Sequence, residues 1–464
     1  MKTNKTLSIE LYLCLFIFSG LALSFAGHGT FVDENLIIQT VESLVEHGEL
    51  TVTKMFQALE GPDGKYYSRY GIAFPLVLSP FYLIGELLDW MFPDTKAFFG
   101  NANFFMMLWG NLLFTVLTGW LFYRLCRLLD AGARLSAGLA IALIFATPYW
   151  PYSQTLYRLT ASSALLLGVL YLIISYLQSP KQNLLIAIAL LTAVGLNLRE
   201  DLVLALMAMG VYVLFYGKSS SRWWCAASLI IGAILGCLIW AGHNWIRFGA
   251  FFVENYSDLS FNSSLIITVP ELLFGLRRGL IVYAPLSLVL IISFPAARKC
   301  GRLGIWMLCC FIILVYLLLY SKSSMWHGGL CWGPRHMYFL LPFCLLPGIW
   351  LWKYGFSNIS KIFLFMAIGI GMMVNWPGVY AHQGRYQDFF SSPSIFSLLI
   401  KPVVHPDYIT FEELDLWWIR MIKMNPLSLW PIVFMVLIAL LIWSGMKLWK
   451  SLAADDNRIE RFSK

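Results

Sequence analysis

The chain is a succession of apolar runs about as long as a bilayer is thick, broken by short polar stretches. Read as helices, the runs are Leu7–Ala26, Asn103–Tyr123, Ser136–Tyr152, Thr160–Leu177, Asn183–Leu198, Leu202–Tyr216, Cys225–His243, Gly279–Phe294, Gly304–Tyr320, Met337–Trp352, Lys361–Trp376 and Ser428–Leu448. Another run, Gly71–Trp90, carries Pro75 and Pro80. If it crossed, Arg124, Arg127 and Arg134 would fall on the outer side, against the positive-inside rule. It therefore reads as a juxtamembrane element. The expected fold is all-α and polytopic, with about twelve transmembrane helices plus outer juxtamembrane helices.

Composition agrees. Of 464 residues, 59% are hydrophobic and 12% charged, about half the charged share of soluble domains. Mean hydropathy is +0.71. The net charge of +8 sits largely in short loops beside the runs, where it orients the chain, so it does not imply nucleic acid as a partner. Lys2 and Lys5 place the first run's start inside. They also resemble a signal-peptide flank, but Leu7–Ala26 is long for one and reads as an uncleaved span. The cysteines lie mostly in apolar runs and read as packing residues, with Cys331 the one expected to meet solvent.

All the long loops then fall outside: 27–102, 244–278, 322–336 and 377–427. The last reads as a small cap, with a helix over Thr410–Met424 carrying Trp417 and Trp418. The chain 1–464 thus forms a single membrane domain whose chemistry faces outward.

The outer loops share a chemical theme. Asp33 and Glu34 follow the first span, where lost hydration suits a proton acceptor or a cation ligand. Either could equally cap a helix over Asn35–His47. Tyr67, Arg69 and Arg158, the turn Arg199-Glu200-Asp201, the pair Arg277-Arg278, and His327, Trp332, Arg335 and His336 add guanidinium groups, aromatic faces and imidazoles; His382, Arg385 and Asp388 follow in the cap. Guanidinium binds phosphate in a fork, and aromatic faces stack on sugar rings. The alternatives are an interfacial aromatic belt and, for Arg199-Glu200-Asp201, a self-paired turn. Glycines around Trp332-Gly333-Pro334-Arg335 let backbone approach a ligand, and Arg335 is expected at a helix N-terminus. The histidines show no metal-ligand spacing, so no metal site is expected, although Asp33 and Glu34 could hold a divalent cation against phosphate.

Phe31-Val32-Asp33-Glu34 after the first span, Gly48-Glu49-Leu50 closing the next helix, Tyr66-Tyr67-Ser68-Arg69-Tyr70-Gly71 before the proline-containing element, Arg278-Gly279-Leu280 and Trp332-Gly333-Pro334-Arg335 together form a recognisable layout. It resembles the GT-C-fold glycosyltransferases that use polyprenyl-phosphate sugars, the bacterial relatives of protein mannosyltransferases and of the lipid A aminoarabinose transferase. The Lys-Pro-Pro element of the lipid A branch is absent.

The resemblance implies a first-loop acid acting as catalytic base and a sugar taken from a lipid phosphate. The acceptor would be a lipid, a glycan or a protein, at the periplasmic face of a bacterial inner membrane. Asp33 would take the acceptor's proton, with Glu34 assisting. Arg335, with Arg277, Arg278 or Arg199, would steady the departing phosphate in an inverting displacement. Rival readings are a lipid or polysaccharide transporter or flippase, and a surface-polysaccharide polymerase or ligase.

Overall fold

The computed structural model describes residues 2–25, 32–91, 102–217, 219–253, 259–329, 331–354, 358–380 and 430–463. Most of the expected cap, including His382, Arg385, Asp388 and Thr410–Met424, lies outside the described residues. The principal helices are α1 (Lys2–Leu23), α2 (Val32–His47), α3 (Ala73–Met91), α4 (Ala102–Leu128), α5 (Ala133–Phe145), α6 (Leu159–Gln178), α7 (Gln182–Leu198), α8 (Leu202–Tyr216), α9 (Ser219–Phe248), α10 (Leu265–Phe274), α11 (Leu303–Lys322), α12 (Asn358–Tyr380) and α13 (Trp430–Ser463). Among the described residues, seven helices are long and apolar enough to cross a membrane, and six shorter apolar helices accompany them. The protein is an integral membrane protein.

Packing follows the rules of helices in lipid, where small residues let backbones approach and branched residues face outward. On α9, Gly232 and Gly236 lie against Ala189 and Ala193 of α7, with no room for a methyl group at Gly232. Ile230, Ile234 and Leu238 are exposed on other faces of α9. The core gathers α1, α4 and α5, where Leu13, Ile17, Phe122, Leu143 and Ile144 are fully buried. Asn111 of α4 donates from Nδ2 to the Tyr152 carbonyl at 3.2 Å, which anchors the turn after α5.

Three expectations change. Gly279–Phe294 is no continuous span but a chain of short turns, Leu280–Tyr283, Pro285–Leu288 and Val289–Ile292, followed by Phe294–Lys299. Pro285 and Pro295 remove backbone donors and obstruct the preceding turn, so one helix cannot run through. Met337–Trp352 breaks likewise into Tyr338–Leu340, Leu341–Leu345 and Gly348–Tyr354 at Pro342 and Pro347. Cys331 is 3% exposed and buried, because Arg278 draws its loop inward.

The proline-containing element is a single helix, α3, despite Pro80 inside it, and its length and composition would allow a crossing. It runs antiparallel to the first half of α4: Phe74 meets Phe114, while Gly85 lies against Asn103.

The segment between α2 and α3 also forms a small antiparallel sheet in the order β1-β3-β2, from β1 (Thr51–Val52), β2 (Ala58–Glu60) and β3 (Tyr66–Ser68). Val52 pairs with Tyr66, and Leu59 with Tyr67. The turn between β2 and β3 uses Gly64 at φ +76°, a conformation side chains disfavour. This sheet ends beside Arg69 and Tyr70 and so sets where they stand.

Candidate active site

The helix after the first span begins at or before Val32, so Asp33 and Glu34 occupy its first turn instead of preceding it. Negative charge is favoured there by the helix dipole. The two carboxylates then diverge. Glu34 is 1% exposed and accepts the Leu156 backbone N–H at 2.8 Å. That bond ties α2 to the loop that presents Tyr157 and Arg158. Asp33, 14% exposed, pairs with the guanidinium of Arg335, 302 residues further along.

Arg335 comes from the glycine-rich loop before Tyr338. Its Nη1 donates to the Gly328 carbonyl at 3.2 Å, and its guanidinium lies 3.8 Å from the centre of the Tyr157 ring. Gly333 has φ +57°, and a side chain there would strike the Tyr283 ring. The expected helix N-terminus at Arg335 is not observed. A short 3-10 turn, Tyr338–Leu340, follows instead, so Arg335 attracts anions through its own charge.

Two further arginines complete the group. The Arg158 guanidinium sits 4.1 Å from the centre of the Tyr70 ring and donates to the Leu198 carbonyl at 2.9 Å. Arg69 is buried and donates weakly to the Gln57 carbonyl at 3.4 Å. Burial alone would raise the Asp33 carboxyl. The charge and hydrogen bond of Arg335, with the charges of Arg158 and Arg69, outweigh it and hold the group below the usual carboxylate range. Asp33 is thus an ionised carboxylate within reach of three cations.

The other expected residues surround this centre without joining it. Arg199 and Asp201 form a two-pronged ion pair, Nε to Oδ1 at 3.0 Å and Nη2 to Oδ2 at 2.6 Å, with Tyr320 hydrogen-bonded to both. The Tyr316 hydroxyl donates to the Asp201 carbonyl at 2.7 Å. This is the self-paired turn. His336 stacks on Tyr320 at 4.5 Å. Burial and the neighbouring Arg335 and Arg199 push it down to about 3, so it is neutral.

Arg278 is buried and donates to the Cys331 and Gly329 carbonyls, which shapes the Arg335 loop from behind. Arg277 is exposed, with no hydrogen-bonding partner among the described residues. His327 accepts the Gly329 N–H at 3.0 Å. Burial and the Arg278 charge lower its basicity. Trp332 is buried; its Nε1 donates to Asn375 at 3.2 Å and its carbonyl accepts the Tyr152 hydroxyl at 2.8 Å. Tyr67 belongs to the sheet, where its hydroxyl donates to Asp63 at 2.7 Å and its ring meets Phe248 edge-on.

Two polar residues were not singled out from sequence, Gln57 at the site and Glu10 away from it. Gln57, at φ +70°, holds Arg69 through its carbonyl and accepts the Tyr70 hydroxyl at 2.8 Å through its side chain. No local signal marks it. Glu10 is buried within α1, ion-paired to Arg124 at 3.0 Å. An acid inside an apolar run is a signal in itself. Among the described residues, no group of three or more His, Cys, Asp and Glu side chains could hold a metal ion.

No protein-family model matches the chain, and no curated protein matches it by sequence. Solved structures do. Apo ArnT from Cupriavidus metallidurans superposes with a TM-score of 0.55 at 13% identity, over 97% of this chain and 76% of that one. The same protein bound to undecaprenyl phosphate gives 0.52 at 15% identity, over 96% and 75%. ArnT is the lipid A aminoarabinose transferase, of GT-C fold. The fold is GT-C-like. In this GT-C-like frame the acid of α2 and the arginine of the late loop converge, although the sequence separates them by most of the chain.

Proposed function

We propose that the protein is a membrane glycosyltransferase that moves a sugar from a polyprenyl-phosphate donor to an acceptor hydroxyl at the outer, periplasmic face of a bacterial inner membrane. The observation that carries this reading is Asp33 held ionised by Arg335, with Arg158 and Arg69 alongside. The GT-C-like fold, seen in ArnT bound to undecaprenyl phosphate, supports it.

In the mechanism, the donor phosphate competes with Asp33 for the Arg335 guanidinium. Asp33, so released, accepts the proton of the acceptor hydroxyl. The acceptor oxygen bonds to the anomeric carbon as the bond from that carbon to the phosphate oxygen breaks, with inversion. The negative charge left on the phosphate is met by Arg335, Arg158 and Arg69, placed before the reaction begins. No step passes through a metal ion, since guanidinium groups supply the countercharge. Glu34 is a positioning residue: it holds Leu156 and through it Tyr157 and Arg158.

The test is sugar transfer by the purified protein in lipid nanodiscs, using radiolabelled polyprenyl-phosphate hexoses and pentoses with a cell-envelope glycolipid extract as acceptor. Asp33→Asn lowers kcat by about 10²–10⁴-fold, the usual contribution of a general base. Glu34→Gln, which keeps an oxygen for Leu156, retains most activity, whereas Glu34→Ala loses it. Full activity in Asp33→Asn would end this mechanism.

A further inference from the structure

The last turn of α9 carries a buried arginine that the proposed mechanism does not use. Arg247 is 2% exposed, and each of its guanidinium nitrogens is engaged. Nη1 donates to the Ser68 carbonyl and, at 3.4 Å, to the Tyr70 carbonyl. Nη2 donates to Asn244 Oδ1 at 2.8 Å, and Nε weakly to the His243 carbonyl at 3.4 Å. Asn244 is fully buried and is itself held, since its Nδ2 donates to the Phe251 carbonyl at 3.3 Å. Arg247 therefore grips the backbone just before Arg69 and just after Tyr70. The next residue has no freedom either, because a side chain at Gly71 would strike the Asn197 carbonyl of α7.

Docking the small sheet does not call for a cation here. The Tyr67 ring already meets Phe248 edge-on, and Gly61 packs against the Arg247 carbonyl. Among the described residues, the hydrogen-bonding partners of Arg247 are carbonyls and an amide, none of them charged. A guanidinium buried in this way gives up hydration that no ion pair returns. An apolar side chain would pack the sheet without that loss. What the guanidinium adds is direction: its planar fork holds several acceptors in one fixed arrangement.

The two residues so held belong to the site. The charge of Arg69 is one of those that keep Asp33 ionised. The Tyr70 ring carries the Arg158 guanidinium at 4.1 Å from its centre. Gln57 holds the side chains of Arg69 and Tyr70, and Arg247 holds their backbone. We infer that Arg247, oriented by Asn244, is a positioning residue for the donor phosphate: it fixes the backbone that presents Arg69 directly and Arg158 through the Tyr70 ring. This rests on the function proposed above. It adds that two of the three cations facing the phosphate are set from a helix outside the site.

The test is steady-state transfer from radiolabelled polyprenyl-phosphate sugars in nanodiscs, with the KM for the sugar donor and the apparent KM for the acceptor extract measured separately. Arg247→Gln, which lacks the fork, raises the sugar-donor KM by about ten-fold or more, the worth of one hydrogen bond to a charged group. It leaves the acceptor KM unchanged. Loss of structure alone would reduce the amount of active enzyme, and so the apparent kcat, and would move neither KM. Arg247→Lys keeps the charge without the fork and recovers only part of the sugar-donor KM; full recovery overturns the positioning role. In an Arg69→Gln background the effect of Arg247→Gln shrinks, because the two residues act on one contact; full additivity likewise overturns it. Asn244→Ala releases one arm of the fork, shifts the sugar-donor KM in the same direction, and carries the test where Arg247→Gln fails to fold. With the wild type active, an unchanged sugar-donor KM in both Arg247→Gln and Asn244→Ala overturns this inference and leaves the proposed function standing. Absence of transfer by the wild type from any polyprenyl-phosphate sugar overturns both.

Discussion

Asp33 and Glu34 are adjacent in sequence and opposite in use. Residues one apart on a helix do not share a face, so only one of the two can point at the arginines. Glu34 is consumed by the Leu156 amide, and Asp33 is left with Arg335. The ion pair has a consequence for pH. A carboxyl held below its usual value stays ionised above the ordinary carboxylate range, about pH 4. Its pairing stabilises the fold above that range and is lost as pH falls through the lowered value. In the free enzyme the acid limb of kcat/KM therefore lies below about pH 4. When a phosphate takes Arg335 and adds its own negative charge, Asp33 becomes more basic. The acid limb of kcat should then lie at higher pH than that of kcat/KM. Coincident limbs in a steady-state pH profile would count against the exchange of partners.

Among the elements, one turn between helices braces the structure beside the site. The turn joining α7 to α8 carries Arg199 and Asp201, paired to each other and braced by Tyr316 and Tyr320 of α11. It locks three helices together and stands beside the site without entering it. Its side chains are 11% and 22% exposed, so removing one partner strands a largely buried charge. Arg199→Ala should lower stability by about 3 kcal/mol, toward the low end for a buried pair because Asp201 keeps some solvent. The Arg199→Ala/Asp201→Ala double variant should recover part of that loss. Thermal unfolding in detergent measures both. A double variant less stable than Arg199→Ala would show that the turn has another role. The loop 327–337 works differently: Gly333 and Arg278 shape it, and Arg335 is its product.

At the scale of the whole molecule, the proposed function requires the paired carboxylate and arginines on the periplasmic face and the short basic turns on the other. A cysteine introduced at Lys65, exposed in the turn between β2 and β3, should react with a membrane-impermeant thiol reagent applied from the periplasmic side. One at Lys299, exposed after the broken segment, should not. Labelling of Lys299→Cys alone would invert the orientation. The lipid-spanning class was legible in sequence because twenty-residue apolar runs are local properties set by bilayer thickness. Asp33 and Arg335 were legible as chemistry. Their meeting was expected only through the family resemblance, because pairing across 302 residues depends on how the helices pack. Sequence could not separate Glu34 from Asp33, Arg158 from Arg199, or Arg277 from Arg278. Each choice turns on which way a side chain faces and whether a carbonyl or a carboxylate has already claimed it. The chain's pattern alone thus determined that it lies in a membrane; tertiary structure decided which charges remain for a ligand, since burial and hydrogen bonding are settled only when distant segments touch.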